Sequence, residues 1–230
     1  FLLCLSASIH AHDLTTLPQV EAIGERPDRT ALGRDVEQLP AGTIILDSEA
    51  IATMNIDHVM DLFRTSTGLV VRNIHQGDVG DDFGLRGFAG GHGVDAAVYV
   101  DGVPINQVNG RTHGLADLNW LLPQMIERVE ITKGPFSARS GNFALGGTVN
   151  IVTKASLDGG AIDATLGRFG YGQAVASYRD GAPFVIAEGF TSDGFRDNAF
   201  SERTGLFAKH SFGDEHRFSV VAQIDTRRFG

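Results

Sequence analysis

The last third of the chain alternates between hydrophobic and polar residues, one position at a time. The clearest stretch is 217–227, and weaker alternation runs through 162–166 and 206–212. In the clearest stretch one face is polar apart from Val221, and the apolar face consists of Phe218, Val220, Ala222 and Ile224. Segments of roughly ten alternating residues between short turns are typical of transmembrane β-strands, which are apolar towards lipid and polar towards the lumen. A soluble antiparallel sheet alternates in the same way, so periodicity alone leaves both structures open.

About five strands of this kind fit between residue 159 and Gly230. Turn signals lie at 180–183 and 213–216, and a longer loop is predicted at 192–202. Five strands cannot close a barrel around a large lumen. Because the alternation is still running at the last residue, we expect the chain to be a piece of a longer barrel.

Residues 43–154 combine shorter apolar runs with helix and turn signals, which predicts a compact α/β unit. Asp101-Gly102 is a strong signal for a tight turn, and Pro123 is predicted to break a helical turn at 118–125. Ser48 is predicted to cap a short helix, and Asp57 a second one. Strands are predicted at Thr43–Leu46, Leu69–Ile74, Ala96–Val100, Val129–Thr132 and Thr148–Thr153.

The first 42 residues show neither the alternation of the last third nor the helix and turn signals of residues 43–154. Residues 1–11 resemble the end of a secretory signal peptide, an apolar run followed by small residues, and they lack an initiating Met. Residues 12–42 are polar and contain three prolines, which predicts an exposed, extended segment. Within it, the β-competent run 17–24 can add as a strand to the sheet edge of another protein. An export signal favours the barrel, since it implies a periplasmic or surface compartment.

Composition and missing motifs argue against several classes of function. A formal net charge of -9 with scattered basic residues argues against a nucleic-acid partner. The one cysteine, Cys4, allows neither an intrachain disulfide nor a cysteine metal cluster. Gly147 stands where a phosphate-binding loop needs its lysine, and neither G-x-S-x-G nor H-E-x-x-H occurs. We therefore expect no enzyme, no cofactor and no resident metal, although His92 and His113 leave a metal or haem contact open.

Five motifs in a fixed order carry a family resemblance. In chain order they are VMDLFR with GLVV (59–71), LRGF (85–88), VYVDGVPIN (98–106), IERVEITKGP (126–135) and SGNFALGGTVNIVTK (140–154). This region resembles the plug domain of TonB-dependent outer-membrane receptors. Thr67, Lys133 and Ser140 depart from the family pattern, where proline, arginine and tyrosine are usual. Residues 193–198 are similar to an early extracellular loop of these barrels.

The resemblance implies a fold and a location. The expected fold is an α+β plug domain at 43–154, a small mixed β-sheet with short helices, followed at 159–230 by the first antiparallel strands of a transmembrane β-barrel. Such barrels have roughly 22 strands and a plugged lumen. The expected location is the bacterial outer membrane, with the plug inside the barrel and the N-terminus in the periplasm. Residues 1–11 are then a signal-peptide remnant and 12–42 a periplasmic extension.

The resemblance also implies partners. The extension contains the expected TonB box at about 16–24, whose central residues are Leu17, Pro18, Gln19, Val20, Glu21 and Ala22. Its expected partner is the C-terminal domain of TonB, driven by the ExbB/ExbD motor. A ferric siderophore is the expected nutrient ligand, with cobalamin, haem or an oligosaccharide as alternatives. A soluble secreted β-rich binding module is the main competing class, and an enzyme is the weakest.

Two sets of residues are candidates for the site. Apical loops at 88–95 and 106–117 are expected to contact the ligand through His92, Gln107, Asn109, Arg111 and His113. Arg111 is the best anchor for an anionic chelate. A second, charged set is expected to form ion pairs that lock the plug to the barrel wall, and it consists of Arg86, Glu127, Arg128, Glu130 and Lys133.

The coupling segment gives the first testable prediction. Val20→Pro in the full-length receptor should abolish TonB-dependent uptake and leave ligand binding intact, because proline removes a backbone donor from an added strand. Uptake of radioactive iron and equilibrium binding of the ferric chelate to whole cells measure the two effects separately. Normal uptake by this variant would refute the assignment of the box.

Overall fold

A computed structural model of the chain describes residues 42–54, 56, 59–64, 68–73, 81–88, 95–108, 114–154, 159–179, 183–212 and 218–230. The predicted TonB box and the signal-peptide remnant lie outside these ranges. His92, Asn109, Arg111 and His113 also lie outside them.

The N-terminal unit is built on a five-stranded sheet. In chain order its elements are β1 (Gly42–Leu46), α1 (Ser48–Thr53), α2 (Asp61–Arg64), β2 (Leu69–Asn73), β3 (Asp81–Leu85), β4 (Ala96–Val100), β5 (Val103–Pro104), β6 (Ile126–Lys133) and β7 (Gly147–Thr153). The mixed sheet has the order β1-β6-β7-β4-β5, in which only β4 and β7 are parallel. β2 and β3 pair as a separate antiparallel ribbon. Each of the five predicted strands is confirmed over its described residues, and β3, which was not among them, ends at the first residue of the LRGF motif.

The sequence signals for helix ends were less accurate than those for strands. Asp47, not Ser48, caps α1, because its extended backbone lets Oδ1 accept the Ala50 N–H at 2.8 Å. Pro123 begins a 3-10 turn, Pro123–Met125, and does not break one, since its fixed φ suits a first helical position. The predicted cap Asp57 lies outside the described residues.

The core of this unit lies where the two short helices and the ribbon meet the mixed sheet. Phe63 from α2 and Phe83 from β3 contact edge to face, with ring centroids 5.3 Å apart. Ile131 of β6 and Ile151 of β7 are buried in the same cluster. Alternate residues of the sheet therefore fix α2 and the ribbon in place.

The C-terminal part is an antiparallel sheet of consecutive strands. They are β8 (Gly159–Leu166), β9 (Gly172–Arg179), β10 (Phe184–Ser192), β11 (Ser201–Phe212) and β12 (Phe218–Phe229). Each strand pairs with the next in the chain, in the order β12-β11-β10-β9-β8. The predicted number of five strands is confirmed. Among the described residues, no helix is both long and apolar enough to cross a bilayer.

The two faces of the antiparallel sheet differ as the alternation predicts. Leu206 lies opposite Ile224 and Ala208 opposite Ala222, on an outer face that points away from the N-terminal unit. On the inner face, Phe207 and Lys209 are buried against that unit. The predicted apolar and polar faces of β12 are thus the outer and inner faces of the sheet.

Gly147 opens β7 at a place with no room for a side chain. Its φ is +143°, and a Cβ there would overlap the carbonyl oxygen of Thr132 on the paired strand β6. Gly146 is also confined, since a Cβ would lie 2.9 Å from the carbonyl oxygen of Leu85. The two glycines thus allow the backbone at the start of β7 to pack closely against β6 and Leu85.

Gly147→Ala should therefore destabilise the mixed sheet by about 3 kcal/mol, from strain at φ > 0 and overlap with backbone. Thermal unfolding of the full-length receptor, followed by circular dichroism, measures the loss. Gly42→Ala is the matched control, because a Cβ at Gly42 meets nothing within 4 Å and its φ is not in the left-handed region. Equal melting temperatures for the two variants would contradict the steric explanation.

Candidate functional site

The inner face of the antiparallel sheet contacts the N-terminal unit through an apolar patch. Phe184, Ile186 and Phe207 are each about 1% exposed and belong to the same buried cluster as the core of that unit. Trp120, in the segment before Pro123–Met125, stacks on Phe207 with ring centroids 6.4 Å apart. The two parts of the chain therefore share one hydrophobic core at this point.

Lys209 makes the most buried polar contact across this interface. Its ammonium, with a side chain only 6% exposed, donates to Asp101 Oδ2 at 3.0 Å and to the Thr153 carbonyl oxygen at 3.0 Å. It also donates to Thr153 Oγ1 at 2.6 Å. A lysine ammonium has three protons, so these three contacts use them all.

Asp101, the acid that pairs with Lys209, lies in a tight hairpin turn. Asp101 and Gly102 have φ of 51° and 79°, the conformation of a two-residue hairpin turn between β4 and β5. The Asp101 carboxylate also accepts the N–H and the hydroxyl of Thr153, at 2.8 and 2.6 Å. Asn150 Oδ1 accepts the Gly102 N–H at 3.1 Å, and its amide donates to Glu130 at 3.0 Å. The turn is therefore held from inside the mixed sheet.

Arg227 forms a second ion pair across the interface, nearer the loop between β10 and β11. Its guanidinium donates to Asp117 of the N-terminal unit at 2.8 Å. It also donates to Asp225 of its own strand at 2.8 Å. This arginine thus divides its hydrogen bonds between the two parts of the chain.

Arg203 lies directly opposite Arg227 on the neighbouring strand, where two like charges would repel. A bidentate pair with Glu188, at 2.9 and 3.1 Å, compensates its charge. Gln173 also donates to Glu188 at 2.9 Å, and the guanidinium lies 4.5 Å from the Phe190 ring centroid. These partners all belong to the antiparallel sheet, so the cluster stiffens that sheet, which is called the wall from here on.

The charged set predicted from the sequence pairs mainly within the N-terminal unit. Arg128 contacts Glu127 at 3.1 Å and Glu130 at 3.0 Å along one strand. The backbone N–H of Arg86 donates to Gly68 at 2.8 Å, and Lys133 ends β6 close to that glycine. The role of these five residues against the barrel wall stays a prediction. The ion pairs described above between the two parts of the chain involve Lys209 and Arg227 instead.

Of the ligand candidates, Gln107 is the one that the structure describes. Its backbone exchanges hydrogen bonds with Leu115 and Gly114, at 2.8 and 2.7 Å, and closes the base of the loop that holds Arg111. Asn106 reinforces this base, because its amide donates to Ala96 and Gly114 and its Oδ1 accepts the Val98 N–H. The loop therefore starts from a fixed platform on the mixed sheet.

Two titratable groups near the interface have shifted pKa values. Burial raises the pKa of Tyr99, whose hydroxyl donates to the Ser140 carbonyl oxygen at 2.7 Å. Burial lowers the pKa of Lys154, and the carboxylates of Glu127 and Asp163 partly oppose that shift. Within the described ranges, no group of three His, Cys, Asp or Glu side chains could hold a metal ion.

Sequence reasoning missed Lys209, Arg227, Asp101 and Asp117 as interface residues. A signal was available for the two cations, because both stand on the polar face of an alternating strand. A long basic side chain on a face that becomes covered must find an acid. Their acidic partners could not be identified from sequence, since each lies more than a hundred positions away along the chain.

Comparison with known proteins identifies the family. The model of the TonB-dependent Receptor Plug Domain matches residues 35–148. The Ferric enterobactin receptor PirA of Pseudomonas aeruginosa is 28% identical over 153 residues, which are 61% of this chain and 20% of that protein. The chain thus spans about a fifth of the length of that curated relative.

Solved structures share the fold. FpvA of P. aeruginosa, solved with bound pyoverdines, superposes on this chain with a TM-score of 0.64 at 17% identity. The aligned part is 82% of this chain and 25% of the FpvA chain. The siderophore receptor PiuA from Acinetobacter baumannii gives 0.58 at 22% identity, over 79% of this chain and 26% of its own. The match to the plug-domain model, together with the similarity to PirA, places this chain in the TonB-dependent receptor family.

Proposed function

We propose that the chain forms the plug and the first wall strands of an outer-membrane importer that takes up a ferric siderophore and is driven by TonB. The observation that carries the proposal is the two-sided wall. Its outer face is apolar and exposed, and its inner face seats the plug through Phe184, Phe207, Lys209 and Arg227.

The outer face favours lipid over water. Ile162, Leu166 and Ile224 are 81%, 88% and 71% exposed on that face. A contiguous apolar band of this kind is costly in water and stabilising in a bilayer. This argues for the outer membrane and against a soluble β-rich module.

A plug that fills the lumen explains how such a barrel can import a ligand without letting other solutes leak through. A globular unit that fills the lumen must move or partly unfold before a ligand passes, and the outer membrane offers no nucleotide to drive this. In our proposal the work arrives as a pull on the extension at 12–42, when Leu17–Ala22 pairs as a strand with TonB. No covalent step is required, which agrees with a receptor and not with an enzyme.

The relatives support a ferric siderophore as the substrate. PirA is named a receptor for ferric enterobactin, and PiuA a siderophore receptor. In the sequence Arg111 falls between Gln107 and Gly114, whose backbones are hydrogen-bonded to each other, and we propose that it contacts the ligand. Cobalamin, haem and oligosaccharides gain no support from these relatives.

Uptake by the full-length receptor tests the proposal. In cells that lack their own siderophore receptors, the receptor should restore growth on at least one member of a panel of ferric siderophores. Restoration should disappear when TonB is deleted. Growth on every siderophore equal to that of the empty strain, with the receptor present in the outer membrane, would contradict the proposal.

Arg111→Gln should weaken binding of an anionic ferric siderophore roughly 10-fold, since a hydrogen bond to a charged group contributes about 1.5 kcal/mol or more. Arg111→Lys keeps the charge and should retain most of the affinity. Fluorescence quenching of the purified full-length receptor gives both dissociation constants. Wild-type affinity in the glutamine variant would exclude Arg111 as the anchor.

A further inference from the structure

Among the side chains of the inner face that the structure describes, three basic ones depend on the plug to different degrees. Arg203 is neutralised by Glu188 within the wall. Arg227 pairs with Asp117 of the plug but also with Asp225 of its own strand. Lys209 places all three of its protons on two plug residues, Asp101 and Thr153. Displacement of the plug therefore affects these three cations unequally.

We propose that Lys209 is a latch, a positioning residue that holds the plug in its resting seat and sets the free energy needed to dislodge it. This inference rests on the proposed function, because it assumes that the plug is displaced during transport. It assigns the latch to one lysine of β11 and one aspartate of the β4–β5 turn.

The surroundings of Lys209 make this pair costly to separate. On the inner face its cross-strand neighbours are Phe184 and Val221, which offer no acceptor side chains. In an apolar environment an ammonium without partners is strongly unfavourable. The plug must therefore lose these three hydrogen bonds before water can reach and hydrate the cation.

The plug side of the latch is preorganised for this role. Asp101 is held in a left-handed conformation that asparagine also tolerates, so the turn alone does not require a carboxylate. The negative charge matters for Lys209. Glu130 accepts a hydrogen bond from Asn150, which in turn accepts the Gly102 N–H, so this one member of the predicted charged set supports the latch from inside the plug.

Arg227 offers a contrasting contact that can be exchanged. When Asp117 leaves with the plug, Asp225 remains beside the guanidinium and limits the loss. We therefore expect the end of the plug near Asp117 to loosen at a lower cost than the end at Asp101. Of these two ion pairs, the one at Lys209 then offers the greater resistance to opening.

Ion conductance of the purified full-length receptor in planar bilayers, without siderophore and without TonB, tests the latch. Lys209→Gln should raise the fraction of time spent open on the order of 100-fold, the effect of losing one partner of a buried pair. Asp101→Asn should do the same while keeping the turn. Arg227→Gln should cause a clearly smaller rise.

The double variant Lys209→Gln with Asp101→Asn separates a direct pair from two independent effects. If the two residues act as one latch, the double variant should conduct no more than either single variant, because it leaves no buried charge without a partner. A double variant whose rise is the product of the two single rises would overturn the proposal. So would single variants that stay as closed as the wild type.

A folding control makes these outcomes interpretable. Heat-modifiable migration reports whether each variant has a folded barrel. If Lys209→Gln does not fold, Asp101→Asn, which alters only the plug turn, decides the question by its own conductance. Because no ligand is present, a receptor that transports no siderophore can still show the latch, and a receptor without the latch can still be tested for uptake.

Discussion

A basic side chain on the inner face of the antiparallel sheet needs a partner once the plug covers it, because water can no longer solvate the charge. The rest of the structure follows from this constraint. The outer face of the wall is largely apolar, whereas Arg203, Lys209 and Arg227 lie on the inner face that meets the plug. Glu188 satisfies Arg203 within the wall, whereas Lys209 depends on the plug.

The seat of the plug combines two kinds of contact with different consequences for movement. Phe184, Ile186 and Phe207 bury apolar surface against it, which stabilises the closed state without specifying a register. The hydrogen bonds of Lys209 and Arg227 specify position, and water can replace them once the plug has shifted.

The mixed sheet connects the turn that pairs with Lys209 to the loop where we expect the ligand. Its β4–β5 turn carries Asp101, the acid that pairs with Lys209. The turn is held in place because the Gly102 N–H donates to Asn150, whose amide donates to Glu130. The chain leaving β5 forms the loop with Gln107 and Arg111, whose base Asn106 fixes on β4. A ligand bound at the loop and a latch at the turn would therefore act on neighbouring parts of one hairpin.

The sequence by itself determined the period of the wall strands and the order of the plug elements, because side-chain alternation and tight-turn chemistry are local properties. It identified the faces of β12 and the turn at Asp101, and the family motifs supplied the expected plug. It misplaced the cap of α1, where Asp47 competed with Ser48 at adjacent positions. Only the tertiary structure decided which acid meets which base. Asp101 and Lys209 are 108 positions apart, and no local rule predicts a partner that depends on how two sheets pack.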